Sequence, residues 1–192
     1  MSAQDTSFPL LTSLACHDLR TPLATIYGFA RTIQRTDPEH DTLVRYVGMI
    51  VAASHEMTEL LEELAVAARI ESGRYEPSLN STDTLALARD AVPHADGSGE
   101  TIATDTSAVV RALGSLALCA QRHGPVESVA VRVDGREVAM SPITPAAAAV
   151  VLGEELKDLG AAVAVRVLRA LGGDVQLDGE TLRVTLAAGP AS

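Results

Sequence analysis

The feature that most constrains the fold is a seven-residue repeat of apolar side chains between residues 43 and 72. Two sets of positions carry it: Leu43, Ile50, Met57 and Leu64, accompanied by Val47, Ser54, Leu61 and Ala68. Apolar residues that alternate at steps of three and four form a stripe along one side of a helix, which other helices must cover. The repeat therefore predicts a long helix from 43 to about 72 with helical partners.

A second amphipathic helix is predicted before it, over residues 7 to 35. Its apolar positions recur at steps of three and four: Phe8, Leu11, Leu14, Ala15, Leu19, Leu23, Ile26, Ala30 and Ile33. Asp37-Pro38 should end this helix, and Asp41 or Thr42 should cap the next one. The short connection makes the pair an antiparallel hairpin. Because two helices bury too little surface alone, we expect two copies to form a four-helix bundle, and hence a homodimer.

The second half of the chain has a mixed pattern. Helices are predicted at 85–92 and 108–121, followed by an alternating hairpin, "VESVAVRVDGREVAM", with its turn at Asp134-Gly135. An Ala- and Val-rich helical stretch over 145–171 precedes a second hairpin, "DVQLDGETLRVTLAA". Asn80-Ser81-Thr82 is expected to be a helix start or a turn.

The predicted fold class is therefore mixed. A helical hairpin over residues 1–76 is followed by an α+β domain over 77–192.

Composition and charge exclude several classes of function. The net charge of −10 opposes binding to nucleic acid phosphates. A basic leader and an apolar run of about 20 residues are both missing, so we expect a cytoplasmic protein without a membrane segment. The only two cysteines, Cys16 and Cys119, suggest neither a disulfide framework nor a zinc site, and no resident metal is expected. No metal-ligand spacing is evident among His40, His55, His94 and His123.

The segment "ACHDLRTPL" at 15–23 carries the chemistry. Pro22 has no amide for the carbonyl of Asp18 and its ring clashes there, which costs about 3 kcal/mol in a helix interior and predicts a kink beside His17. Imidazole is a nitrogen nucleophile near neutral pH, and the carboxylate of Asp18 can hold its tautomer or accept its proton. Thr21 follows one turn later. These residues alone are also compatible with the alternative that His17 and Asp18 form a solvated surface pair with no chemical role.

The string "HDLRTPL" resembles the phospho-acceptor motif of histidine kinases, and "ARIESGRYE" at 68–76 resembles the end of the second helix in that family. The resemblance implies that His17 accepts a phosphoryl group, that Asp18 assists its deprotonation and that Thr21 acts in dephosphorylation or positioning. It also implies that residues 7–76 form a dimerisation and phosphotransfer domain. Arg20 is a candidate contact for phosphate or for an acidic partner surface.

The second domain resembles the ATP-binding domain of the same family in a degenerate form. "DTSAVVRALGSLALCAQRHG" at 105–124 is similar to a helix that usually carries asparagines where Ser115 and Cys119 stand. A thiol is a poor ligand for Mg²⁺, which prefers oxygen. "DLGAAVAVRVLRALGG" at 158–173 places Asp158 where a phosphate-binding glycine is usual, and a carboxylate there repels phosphate. "AMSPITPAAAA" replaces the adenine-reading loop.

These features predict a histidine phosphotransfer protein. His17 would carry a phosphoryl group to or from the aspartate of a receiver domain, without ATP and without a tightly bound cofactor, while Mg²⁺ is supplied at the receiver. The expected partners are a second copy of the chain, receiver domains, and a hybrid or sensor histidine kinase. Two alternatives stay open: an ATP-dependent sensor histidine kinase core with a divergent nucleotide pocket, and a non-catalytic scaffold that inhibits a kinase or regulator.

Overall fold

The computed structural model describes residues 7–188. The helices are α1 Ser7–Asp18, α2 Arg20–Thr36, α3 His40–Glu71, α4 Thr84–Ala91, α5 Thr106–His123, α6 Pro145–Val151 and α7 Leu159–Ala170. The strands are β1 Asn80–Asp83, β2 Asp96–Gly99, β3 Thr101–Thr104, β4 Ala130–Gly135, β5 Glu137–Ser141, β6 Asp174–Asp178 and β7 Thr181–Thr185.

The chain forms two compact units, which divide between Ala65 and Val66. This division lies inside α3, so the last turns of that helix belong to the second unit. The boundary after residue 76 stays a prediction. None of the described helices combines the length and the apolar character needed to cross a membrane.

The first unit contains the predicted helices, with an interruption where Pro22 requires one. The structure divides the expected helix over 7–35 into α1 and α2 at Leu19. The Leu19 amide still donates to the Ala15 carbonyl at 2.9 Å, and the Leu23 amide donates to the Leu19 carbonyl at 3.3 Å. Because the buried Pro22 has no N–H, the Asp18 carbonyl between them lacks its helical donor. The hydrogen-bond ladder is therefore interrupted beside His17 as predicted, although Leu19 itself keeps helical angles, φ −64 and ψ −21, and the predicted kink stays a prediction.

Residues within the turn between α2 and α3 determine where α2 ends. Asp37 follows the last residue of α2 in the left-handed region, at φ 41, and Pro38 prevents the helix from continuing. The next helix begins at His40, so the prediction that Asp41 or Thr42 caps it is wrong. Asp41 instead lies in the first turn, where a carboxylate interacts favourably with the helix dipole.

Apolar side chains remain exposed along the first unit. The rings of Phe29 in α2 and Tyr46 in α3 pack with centroids 5.2 Å apart, which holds these two helices against each other. Large apolar side chains nevertheless face solvent in the single chain: Leu10, Leu23, Tyr27, Val44, Val47, Met49, Val51 and Leu61. A second hairpin would cover such surface, and the four-helix bundle stays a prediction.

The second unit is the predicted mixture of helices and strands. Its main sheet has the order β2-β4-β5-β7-β6, in which the β2–β4 pair is parallel and the other pairs are antiparallel. Strand burial alternates, with Val131 and Val133 buried around the exposed Arg132, so one face of the sheet forms the core. Helices α5 and α7 pack extensively on each other in this unit. The core therefore positions the end of α5 beside the start of α7.

Three local predictions for this unit need correction. Asn80-Ser81-Thr82 is not a helix start or a turn, because it forms β1 and pairs with β3. The helical stretch 145–171 consists of two helices, α6 and α7, separated by a loop. Asp134 pairs with Glu137, so the first hairpin turns one residue later than predicted, at Gly135-Arg136. Gly135 has φ +57, a conformation that glycine adopts without a Cβ penalty.

Candidate functional site

His17 lies at the end of α1, just before the helix interruption. Its side chain is 77% exposed, and its Nδ1 lies 3.1 Å from Oδ1 of Asp18. When Nδ1 carries the proton, it donates to this carboxylate and Nε2 keeps a lone pair. The imidazole is then oriented by a carboxylate and accessible to a reacting partner. This is the arrangement that an imidazole nucleophile requires.

Asp18 closes on the histidine even though the two are neighbours on one helix. Successive side chains on a regular helix point about 100° apart, so contact between these two side chains does not follow from helix geometry alone. The structure instead brings the two side chains within hydrogen-bond distance at the last residue of α1. The carboxylate can therefore form a direct hydrogen bond with Nδ1 of His17.

Arg20 and Thr21 begin α2, and both are exposed. The Thr21 carbonyl accepts a hydrogen bond from Thr25 Oγ1 at 3.1 Å. The Thr21 hydroxyl does not take part in this hydrogen bond. The interruption at Leu19 thus places a cation and a hydroxyl within four residues of His17. Their roles in contacting phosphate and in dephosphorylation stay predictions.

The second unit contains a separate polar cluster around Asp158. This carboxylate is 5% exposed and caps α7, because Oδ1 accepts the Ala161 amide at 3.0 Å. Its Oδ2 accepts from Arg122 Nη1 at 3.0 Å, and His123 Nε2 lies 3.3 Å from the same oxygen. A negative side chain of the protein itself therefore occupies the start of α7, which is the end of a helix that favours anions.

Cys119 completes this cluster. Burial, with the nearby Asp158 charge as a smaller cause, raises the pKa of its thiol to about 12, while Arg122 partly opposes the shift. Cys119, His123 and Asp158 each offer one ligand atom, and these atoms lie within 4.8 Å of one another. Ser115, the other altered position, is half-buried one turn earlier on α5.

Sequence reasoning identified Cys119 and Asp158 separately and missed His123. A local signal existed, because Cys119 and His123 are four residues apart in a predicted helical stretch and so lie on one face. The contribution of Asp158 depends on how α7 packs against α5. That packing could not be inferred from spacing along the chain.

Comparison with known proteins identifies the class of the first unit. Residues 10–73 match the family model of the His Kinase A (phospho-acceptor) domain. The match includes His17 and spans most of α1, α2 and α3. A helical hairpin that presents an exposed histidine is thus of the phospho-acceptor type.

Two curated relatives extend this similarity. The sensor-like histidine kinase SenX3 of Mycolicibacterium smegmatis is 27% identical over 131 residues, which are 65% of this chain and 34% of that protein. The probable sensor histidine kinase TcrY of Mycobacterium tuberculosis is 34% identical over 85 residues, which are 44% of this chain and 18% of that protein. The matched segments therefore span about a third or less of these relatives.

A solved structure shows the same fold. The Acinetobacter baumannii histidine kinase AdeS superposes with a TM-score of 0.64 at 17% identity, covering 90% of this chain and 98% of that chain. Over the matched segments the chain is therefore similar in sequence to histidine kinases, and its fold, a helical hairpin followed by an α/β sheet domain, is also that of AdeS. Both curated relatives have the names of sensor histidine kinases, which agrees better with the predicted alternative, a sensor histidine kinase core, than with a dedicated phosphotransfer protein.

Proposed function

We propose that this protein is a two-component phosphotransferase that carries a phosphoryl group on Nε2 of His17. The observation that carries the proposal is the exposed imidazole with its Nδ1 held 3.1 Å from Asp18, inside a segment that matches the phospho-acceptor domain. Asp18 acts as base and orienter. Arg20 and Thr21 act on the phosphoryl group from the start of α2.

In the proposed step, the Nε2 lone pair attacks the phosphorus of a donor. The N–P bond forms as the P–O bond to the donor breaks, and the leaving oxygen keeps that electron pair. The negative charge of Asp18 stabilises the positive charge that develops on the imidazole, and as the base its carboxylate accepts the Nδ1 proton once the N–P bond has formed. Because phosphoryl transfer depends mainly on positioning and charge stabilisation, an exposed and pre-oriented imidazole is the principal contribution of this chain.

We further propose that the donor is the aspartyl phosphate of a receiver domain and not ATP. The support is the buried carboxylate of Asp158 at the start of α7, in the segment that resembles a phosphate-binding turn. An anionic ligand there would meet a negative charge and an amide that Asp158 already occupies. Mg²⁺ bound at the receiver would neutralise charge on the transferred group.

The second candidate is an ATP-dependent sensor histidine kinase core, and the named relatives support it. We place the receiver route first because it is supported by Asp158 and Cys119 of this chain itself, whereas the kinase route is supported by similarity to other proteins. In both candidates we propose a cytoplasmic homodimer in which the exposed apolar side chains of the hairpin form the bundle. A non-catalytic scaffold is the third possibility, and it would not need His17.

The test compares two phosphoryl donors on the same full chain. Purified protein is incubated with radiolabelled ATP and Mg²⁺ or with a radiolabelled phosphorylated receiver domain, and acid-labile label is followed. We expect label from the receiver only, and its loss in His17→Ala. His55→Ala is the matched control because His55 is an exposed histidine in the same unit, on α3.

Each outcome decides between the candidates. Label from ATP that depends on His17 would replace the receiver route with the kinase core. Absence of any label from both donors would refute phosphoryl transfer and favour the scaffold. Equal labelling of wild type and His17→Ala would show that another residue is the acceptor.

A further inference from the structure

The end of α5 and the start of α7 bring three different metal-binding side chains together within the second unit. These are a cysteine, a histidine and an aspartate: Cys119, His123 and Asp158. Their ligand atoms all lie within 4.8 Å of one another. Thiolate, imidazole and carboxylate are the three side-chain groups that bind zinc in proteins. The cluster therefore has the composition of a transition-metal site.

The position of each group favours a common ligand. Cys119 and His123 are one turn apart on the same face of α5, and Asp158 caps α7, so all three are supported by regular structure. In a tetrahedral site with bonds of about 2.0 to 2.3 Å, ligand atoms lie about 3.3 to 3.7 Å apart. His123 Nε2 and Asp158 Oδ2 already lie at 3.3 Å. Small side-chain movements would bring the sulfur to the same spacing.

The imidazole of His123 supplies a second observation. Its Nε2 is buried and lies 3.3 Å from Asp158 Oδ2, yet it makes no well-formed hydrogen bond to any residue that the structure describes. Buried polar atoms in folded proteins nearly always have a partner, so an atom of this kind calls for an explanation. A bound cation that Nε2, the sulfur and the carboxylate share would satisfy it.

We propose that Cys119, His123 and Asp158 bind one divalent transition-metal ion of the zinc type, with a fourth position open to water. On binding, the sulfur–metal bond forms and the thiol proton leaves to solvent, so thiolate and carboxylate together balance the charge of the ion. Mg²⁺ is excluded as the occupant because it demands oxygen ligands. The site is independent of phosphoryl transfer at His17 and joins α5 to α7 inside the second unit.

Arg122 is the internal competitor for this ion. Its Nη1 donates to the same Oδ2 of Asp158 at 3.0 Å, but its side chain is 67% exposed. The guanidinium can therefore turn toward solvent when an ion arrives. Removal of Arg122 should tighten metal binding, whereas removal of a ligand should weaken it. Opposite effects from neighbouring residues on one helix distinguish a specific site from general electrostatic attraction.

The experiment titrates the full chain with Co²⁺, which substitutes for zinc and reports its ligands by absorption. We expect one equivalent to bind, with a thiolate-to-cobalt charge-transfer band that excess Zn²⁺ removes. Cys119→Ala should lose the band and Cys16→Ala should keep it, since these are the only two cysteines. His123→Ala should weaken binding at least about tenfold, while the exposed His94→Ala should not.

Two further variants keep the test decisive if Cys119→Ala or His123→Ala fails to fold. Cys119→Ser retains a side chain of similar shape without sulfur, and Asp158→Asn retains the α7 cap without the charge. Loss of the band in the first and weaker binding in the second would support the site, as would tighter binding in Arg122→Ala. A wild type without a thiolate band, or a band that depends on Cys16, would overturn it.

Discussion

Replacing Asp158 by alanine removes three contacts of a buried carboxylate at once. The Oδ1 acceptor for the Ala161 amide is lost, and loss of a helix N-cap of this kind costs about 1 kcal/mol, with a range of about 0.5 to 2. The Oδ2 contacts with Arg122 and with His123 Nε2 are lost as well. Since that guanidinium is 67% exposed, its ion pair adds no more than about 1 kcal/mol.

The free energy of unfolding of the second unit should therefore fall by about 0.5 to 3 kcal/mol in Asp158→Ala. Asp158→Asn should lose less, about 1 kcal/mol or below, because asparagine caps a helix as well as aspartate does. The difference between the two variants isolates the cap from the charge. A double-mutant cycle with Arg122→Ala should give a coupling of no more than about 1 kcal/mol.

The assay is native-state hydrogen exchange of α7 and of the main sheet, measured in metal-free protein, because it reports opening of the second unit separately from the helical hairpin. His94→Ala, an exposed substitution in the same unit, is the control. The reasoning is refuted if Asp158→Ala and Asp158→Asn lose equal stability. It is also refuted if neither variant differs from wild type by more than about 0.5 kcal/mol.

Three further predictions concern single residues. Pro22→Ala supplies an amide for the Asp18 carbonyl, so α1 and α2 should join into one hydrogen-bonded helix; hydrogen exchange should show a protected amide at position 22 and phosphoryl transfer should slow, whereas an unprotected amide would show that packing imposes the break. Gly135→Ala places a Cβ at φ +57, which should cost about 1 to 2 kcal/mol in urea unfolding, and no loss would contradict the conformational argument. Burial, with the nearby Asp105 charge as a smaller cause, raises the pKa of the Tyr75 hydroxyl above its ordinary value of 10.0. As the pH rises, the unfolded chain therefore loses this proton before the folded chain does. The free energy of unfolding should then fall as the pH rises above about 10. Tyr75→Phe should reduce that fall and Tyr27→Phe, at an exposed tyrosine, should not; equal pH profiles would contradict the assignment.

The helical hairpin was predictable because its determinants are local. Seven-residue periodicity indicated α3, Asp37-Pro38 ended α2, and Pro22 interrupted the helix within three residues of its own position. The predicted cap at Asp41 or Thr42 was wrong by two or three residues, since the helix begins at His40 and its capping position is therefore Glu39. Helix ends depend on a single turn and are less sharply encoded than the apolar stripe between them.

The short strands were less predictable for the opposite reason. Asn80–Asp83 is polar and mostly exposed, without the alternation that indicates a strand. It becomes β1 only because β3 pairs with it, and Asp96–Gly99 becomes β2 through its parallel pairing with β4. Backbone pairing between distant segments can impose an extended conformation on residues of low strand propensity.

The sequence by itself determined the reactive turn of this protein. His17, Asp18, Thr21 and Pro22 lie within six consecutive residues, so nucleophile, carboxylate, hydroxyl and helix break follow from their order along the chain. The proximity of the Cys119, His123 and Asp158 side chains, in contrast, depends on the tertiary structure. Burial of the apolar faces of α5 and α7 brings the ends of two helices together, and a contact of that kind between distant segments leaves no signature in local spacing.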